Sequence, residues 1–206
     1  MNESYKTVKG IAEAEIIERK SRFISHISHA ETEADALAFI SSIREANQQA
    51  RHNVYAYLLR DGRTRYSDDG EPAQTSGLPT FETIEHANLT DVVIVTTRYF
   101  GGILLGTGGL VRAYTAAAKE AISHARIVEI CLCVDLSFKV PYALNSQVQR
   151  ILRDLDASII SCDYSDVVSY AVRVRADETE KASSALTEAT HGQTDIKVSE
   201  PRFSEL

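Results

Sequence analysis

Two arginines, Arg98 and Arg112, bracket a stretch in which five glycines fall within nine residues: Gly101, Gly102, Gly106, Gly108 and Gly109. Guanidinium groups beside exposed backbone N–H groups bind anions, whether phosphate, carboxylate or a nucleic-acid backbone. The flanking pattern suits that chemistry. Val92-Val93-Ile94-Val95 reads as a strand, and after the loop Leu110, Val111, Tyr114, Ala117 and Ala118 recur at roughly helical spacing. Strand, glycine loop and helix in that order turn unsatisfied N–H groups toward one point at a helix N-terminus. Such a loop can equally serve only to pack strand and helix closely, and both readings stand at this level.

The common phosphate loops do not fit. A P-loop needs G-x-x-x-x-G-K-[ST]; Gly101 and Gly106 have the spacing, but Thr107 stands where the lysine belongs. The dinucleotide fingerprint G-x-G-x-x-G begins at Gly106 and Gly108 and fails at Val111. Upstream, Asp68, Asp69 and Glu71 lie in a turn forced by Gly70 and Pro72. Their carboxylates could hold Mg²⁺, pair with the arginines of the loop, or cap backbone N–H groups. We expect the turn to pack beside the loop, with a carboxylate on Arg98 or Arg112, and we expect positive φ at one or more of Gly106, Gly108 and Gly109.

These segments carry a resemblance. Ser67-Asp68-Asp69-Gly70-Glu71-Pro72 with Gln74-Thr75-Ser76-Gly77-Leu78-Pro79, and then the Val92–Tyr114 block, are similar to the paired motif of the IMPACT family, in its bacterial two-domain form. Lys20-Ser21-Arg22-Phe23-Ile24 and Arg51-His52-Asn53-Val54-Tyr55-Ala56-Tyr57 match two earlier segments in the same order. Ser76 stands where the family pattern has alanine, a small change. The resemblance implies an α+β protein. Its N-terminal α/β domain (1–128) would resemble domain IV of elongation factor G, a ribosomal-protein-like fold, and its C-terminal domain (129–206) would be ferredoxin-like, βαββαβ. It further implies a role in translational control, because the eukaryotic relatives compete for the ribosome-associated activator of a starvation kinase. No catalytic residues, metal or cofactor come with it. Lys20, Arg22, Arg51 and His52 join Arg98, Arg112 and the three glycines as candidates for binding anion or nucleic acid. His52 could act as a general base, but no nucleophile or orienting carboxylate can be assigned to it.

Composition bounds the choice. The 206 residues carry a formal net charge of −7, against indiscriminate nucleic-acid binding. Residues 129–206 hold 8 Lys/Arg against 13 Asp/Glu, while residues 1–128 hold 14 against 16. An anion-binding surface is therefore a local patch in the first part. The three cysteines, the absence of a signal-like start and the absence of an apolar run of about 20 residues lead us to expect a cytoplasmic protein with reduced thiols and no membrane segment.

The elements that would position the patch follow from periodicity. Residues 5–29 read as two strands, with Lys20-Ser21-Arg22 facing solvent at their junction. A helix over 33–47 begins at Thr32, a strand over 52–59 turns at Asp61-Gly62 into 64–67, and helices follow over 80–87 and 110–125. The second domain reads as strand 131–138, helix 141–155, strands 158–164 and 167–175, helix 177–190 and strand 194–199, with Cys131 and Cys133 on one strand face. Tyr164 and Tyr170 could stack bases or fill the core. The expected function is a non-enzymatic, translation-associated regulator binding RNA or a ribosome-linked partner. The alternative is an enzyme or sensor for a small phosphorylated ligand, using the glycine loop and Mg²⁺.

Overall fold

The computed structural model describes residues 4–206. It is an α+β protein of two compact units, Tyr5–Val128 and Glu129–Leu206, with Ser4 grouped with the second.

In the first unit the chain runs β1 (Ser4–Lys9), β2 (Ile11–Glu18), β3 (Ser21–His29), α1 (Glu33–Ala46), β4 (His52–Leu58), β5 (Thr64–Ser67), α2 (Gly77–His86), β6 (Val92–Tyr99) and α3 (Thr107–His124). Five strands form an antiparallel sheet in the order β2-β3-β6-β4-β5. The central strand β6 is buried from Val92 to Arg98, which explains an apolar run with no alternation. Val92 and Ile94 pack with Ile84, Ala118 and Ala121 of α2 and α3, while Val93 and Val95 pack with Ala36 and Ile40 of α1. The small side chains Ala113, Ala117, Ala118 and Ala121 line the buried stripe of α3 and let it lie close on the sheet. A capping box starts α1: Asp35 N–H donates to Thr32 Oγ1, and Thr32 N–H donates to the Asp35 carboxylate.

The second unit contains most of β7 (Arg126–Val140), then α4 (Asn145–Asp154), β8 (Ser158–Tyr164), β9 (Val168–Arg175), α5 (Thr179–Ala189), β10 (Lys197–Val198) and β11 (Arg202–Glu205). β7 pairs with β9, and β9 with β8; β10 and β11 pair with the other side of β7. Val134, Leu136, Phe138 and Val140 of β7 meet Val148 and Leu152 of α4 and Leu186 of α5 in one core.

Three expectations need correction. Residues 5–29 form three strands, because Thr7 and Val8 are buried and give β1 its own place. Ser21 is fully buried, and its Oγ accepts the Gly101 N–H at 3.1 Å; the glycine loop covers the β2–β3 junction. The last strand is short and interrupted, with β10 and β11 separated across Pro201, which lacks the N–H a ladder needs. Tyr170 is core, stacked on Phe138 at 5.4 Å, whereas Tyr164 is exposed. The sulfurs of Cys131 and Cys133 lie 3.3 Å apart, as two free thiols on one strand face.

Candidate functional site

The site is built on the ends of β4 and β6. Their register sets Phe23, Arg98 and His52 side by side across β3, β6 and β4. At the end of β6 the glycine loop must turn the chain into α3. A Cβ at Gly101 would lie 2.0 Å from the Lys20 carbonyl carbon, so only glycine permits that approach. Gly106 is the N-cap of α3 at φ 70°, ψ 167°, a region that is essentially glycine's alone. Gly108 and Gly109 lie within α3.

The start of α3 is chemically open. Leu110 N–H bonds to the Gly106 carbonyl, but no side chain caps the helix and its first turn holds no acidic residue. The N–H groups of Thr107, Gly108 and Gly109 have no acceptor among the described residues. This positive helix end borders a cleft of about 380 Å³. Its walls include Arg51 and His52 at the start of β4, Pro72, Arg98, and Phe100 and Leu104 from the loop. Leu104 is 82% exposed and Phe100 52%, so the loop presents apolar surface beside the helix end.

Beneath the cleft lies a buried charged pair. Arg98 Nη1 donates to both Glu71 carboxylate oxygens, at 2.8 and 3.0 Å, and Tyr114 OH donates to Oε1 at 2.8 Å. The two charged side chains are only 7% and 3% exposed. The Arg98 guanidinium lies 5.5 Å from the Phe23 ring centre and 5.6 Å from that of Phe100. Burial, reinforced by the Glu71 carboxylate, pushes the Tyr114 phenol far above its ordinary range. Tyr114 therefore stays a donor, and it ties α3 to the acidic turn.

The other two carboxylates of that turn hold backbone. Asp68 accepts from Gln74, Ser76 and Gly77 N–H and from Ser76 Oγ, and so caps α2 in place of its N-cap side chain. Burial would raise the Asp68 carboxyl, but the hydrogen bonds from Gly77, Ser76 and Gln74 outweigh it and hold the group below the usual carboxylate range. Asp69, at φ 43°, accepts from Asn53 N–H at 2.7 Å and from Arg44 at 2.7 Å. Its carbonyl accepts the His52 Nδ1–H at 2.8 Å, and Nε2 has no hydrogen-bond partner among the described residues. No cluster of three or more metal-binding side chains occurs among the described residues.

The sequence profile of the Impact N-terminal domain matches residues 19–122, and a domain of unknown function, DUF1949, matches residues 138–193. IMPACT family member YvyE of Bacillus subtilis is 38% identical over 207 residues, covering 100% of this chain and 95% of that protein. The chain belongs to the IMPACT family. IMPACT family member YigZ of Escherichia coli is 30% identical over 182 residues, 86% of this chain and 89% of the other. Human Protein IMPACT is 33% identical over 98 residues, covering 44% of this chain and 30% of its own length. A crystal structure described as that of a hypothetical protein superposes with a TM-score of 0.63 at 28% identity, covering 95% of this chain and 97% of its own.

All candidate residues fall inside the matched IMPACT segment, but the fold separates them. Arg98, Arg51, His52, Glu71 and Gly106 share the cleft. Arg112 is exposed and lines a different cavity of about 210 Å³, with Ile16, Arg19 and Leu105. Arg22 sits one residue from Phe23, hence on the opposite sheet face, in a two-bond pair with Glu15 at 2.8 Å. Lys20 lies at the turn against Gly101. Lys20, Arg51 and Arg112 are exposed and make no ion pair among the described residues. Tyr114, Phe100, Leu104 and Thr107 were absent from the sequence-based candidates. Only the aromatic Tyr114 inside an alanine-rich helix gave a signal.

Proposed function

We propose that this IMPACT family protein is a non-enzymatic regulator of translation that binds single-stranded RNA, with the cleft at the start of α3 as the contact site. The observation that carries the reading is an uncapped helix N-terminus, free of acidic residues, with the unpaired Arg51 and the exposed Phe100 both on the wall of its cleft. Backbone N–H groups and cations take phosphates, and an aromatic face takes a base without regard to sequence. The family resemblance supports the translational role. In the second unit, strand order β10/β11-β7-β9-β8 under two helices supports a ferredoxin-like domain, a fold with no function of its own. The antiparallel sheet and three helices of the first unit are compatible with likeness to elongation factor G domain IV.

Fluorescence anisotropy with a short RNA over a salt series tests the proposal. Log affinity should fall linearly with log salt, and Arg51→Ala should reduce the slope by about 0.7, the value for one single-strand phosphate contact. Binding of a nucleotide that requires Mg²⁺ and ignores salt would replace this reading with that of a small-ligand site.

A further inference from the structure

We propose that the second unit carries a binding site of its own, a cleft on the open face of its sheet that takes a small phosphorylated polyol such as a sugar phosphate. The site is independent of the RNA reading, which concerns the first unit.

The cleft follows from the strand pattern. In β7 the side chains of Leu136, Phe138 and Val140 point into the core shared with α4 and α5, so Ser137 and Lys139 point to the other face. Register places Ser169 of β9 opposite Lys139, and Lys197 of β10 opposite Ser137. Opposite side chains on such ladders have Cβ atoms ~4.5–5.5 Å apart, so the two lysines and two serines share one patch. The chain approaching β10 forms a rim beside it. Thr194 Oγ1 donates to the Lys139 carbonyl at 2.9 Å and holds that segment against β7, with Gln193 and Asp195 on the cleft wall. The cleft volume is about 470 Å³, within the ~300–1,000 Å³ of small-ligand pockets.

The chemistry of the lining selects the ligand. Among the described residues Lys139 and Lys197 make no ion pair, and the side chains of Ser137, Ser169 and Gln193 make no hydrogen bond. Two ammoniums and two hydroxyls thus share a patch without acceptors. Compact lysine charges suit the three oxygens and up to two charges of a phosphate monoester, whereas a carboxylate is matched best by the planar fork of arginine. Asp195 and Gln193 can accept from hydroxyl groups further along the ligand. A nucleobase finds no aromatic wall: the rings of Phe138 and Tyr170, on the core side of the same strands, are 3% and 2% exposed and stack on each other. The acidic total of residues 129–206 conceals this site, because the cleft itself holds two cations against Asp195. Next to it on the same face Arg173 and Arg202 share Asp135, and Asp163, opposite Ser169, is the acid on the far side.

The experiment titrates the full ¹⁵N-labelled chain with ribose 5-phosphate, ribose, inorganic phosphate, succinate and AMP, and follows the amide shifts by NMR. Ribose 5-phosphate should move the amides of 137–139, 169–170 and 193–197, and should bind more tightly than ribose, inorganic phosphate or succinate. AMP should bind no more tightly than ribose 5-phosphate. Lys139→Gln and Lys197→Gln lie at exposed positions, and each should weaken binding by about tenfold or more, the value of one charge-assisted hydrogen bond. Lys181→Gln, at an exposed position of α5, should leave binding unchanged. No shift with ribose 5-phosphate, shifts confined to the first unit, or binding that survives both lysine substitutions overturns the site. Tighter binding of succinate overturns the choice of phosphate, and tighter binding of AMP overturns the choice of a polyol. A short RNA should shift amides of the first unit alone; if it shifts those of this cleft, the face belongs to nucleic acid and the small-ligand reading falls.

Discussion

Substituting Glu71 should make the protein less stable and its cleft a better anion binder at once. Arg98 and Glu71 are 7% and 3% exposed, so the small values measured for surface ion pairs do not apply. Removing one partner of a buried pair typically costs about 3–5 kcal/mol, mainly because the remaining charge is left without compensation. Glu71→Gln keeps the shape and can still accept from Tyr114, which places it near the lower figure; Glu71→Ala belongs near the upper. Either is a large part of a domain stability of ~5–15 kcal/mol. The double variant Glu71→Leu, Arg98→Met removes both charges and should be less damaged than the sum of its singles, with a coupling energy of about 2 kcal/mol or more. Urea unfolding followed by circular dichroism gives the energies, and peptide-level hydrogen exchange should place the loss in β4, β6 and α3 rather than in the second unit. In Glu71→Gln the freed guanidinium charge faces the cleft, and affinity for a phosphate ligand should rise by up to about tenfold, or 1.4 kcal/mol. A coupling energy below about 0.5 kcal/mol would show that the pair is not one energetic unit. Unchanged phosphate affinity in Glu71→Gln would refute the masking of Arg98.

Other expectations are checked more simply. Gly101→Ala should be the most damaging glycine substitution of the loop, at ~3 kcal/mol, because the new Cβ meets Lys20 backbone at 2.0 Å. Gly106→Ala has open space around it but strained torsions, and should cost about 1–3 kcal/mol; equal melting temperatures for the two variants would contradict this account. Asp68 has a lowered carboxyl pKa when folded, so its stabilisation is fully present above the unfolded value and is lost as pH falls through the folded one. The gap in stability between wild type and Asp68→Asn should therefore be constant near neutrality and shrink below about pH 4, as urea titrations across pH would reveal. Tyr114→Phe should cost about 1.5–3 kcal/mol for one hydrogen bond to a buried carboxylate, and a loss below 0.5 kcal/mol would remove Tyr114 from the network.

How much of this could be read from the chain depends on which physics is local. The run Val92–Val95, the Thr32–Asp35 capping box and the Asp61-Gly62 turn are set by near neighbours, and β6, α1 and the β4–β5 hairpin lie where those patterns place them. β1 and β11 were not legible, since each owes its existence to partners far along the chain. In the site, a carboxylate meeting an arginine was legible from charge alone. Which carboxylate was not. Asp68, Asp69 and Glu71 are interchangeable by type, and the left-handed turn at Asp69 and Gly70 decides that two face backbone and only Glu71 reaches Arg98. Arg112 shows the opposite case. It follows Leu110 by two residues, about 200° around a helix, so when Leu110 lines the cleft Arg112 must point elsewhere. The two arginines that bracket the loop thus divide its needs. The buried one, matched to Glu71, fixes the shape of the cleft and adds little net charge to it; in the proposed reading the attraction for anions is left to the helix end and to exposed cations. A chain with an acidic excess can hold an anion site on those terms, because the site depends on where a few charges are unpaired and not on their total.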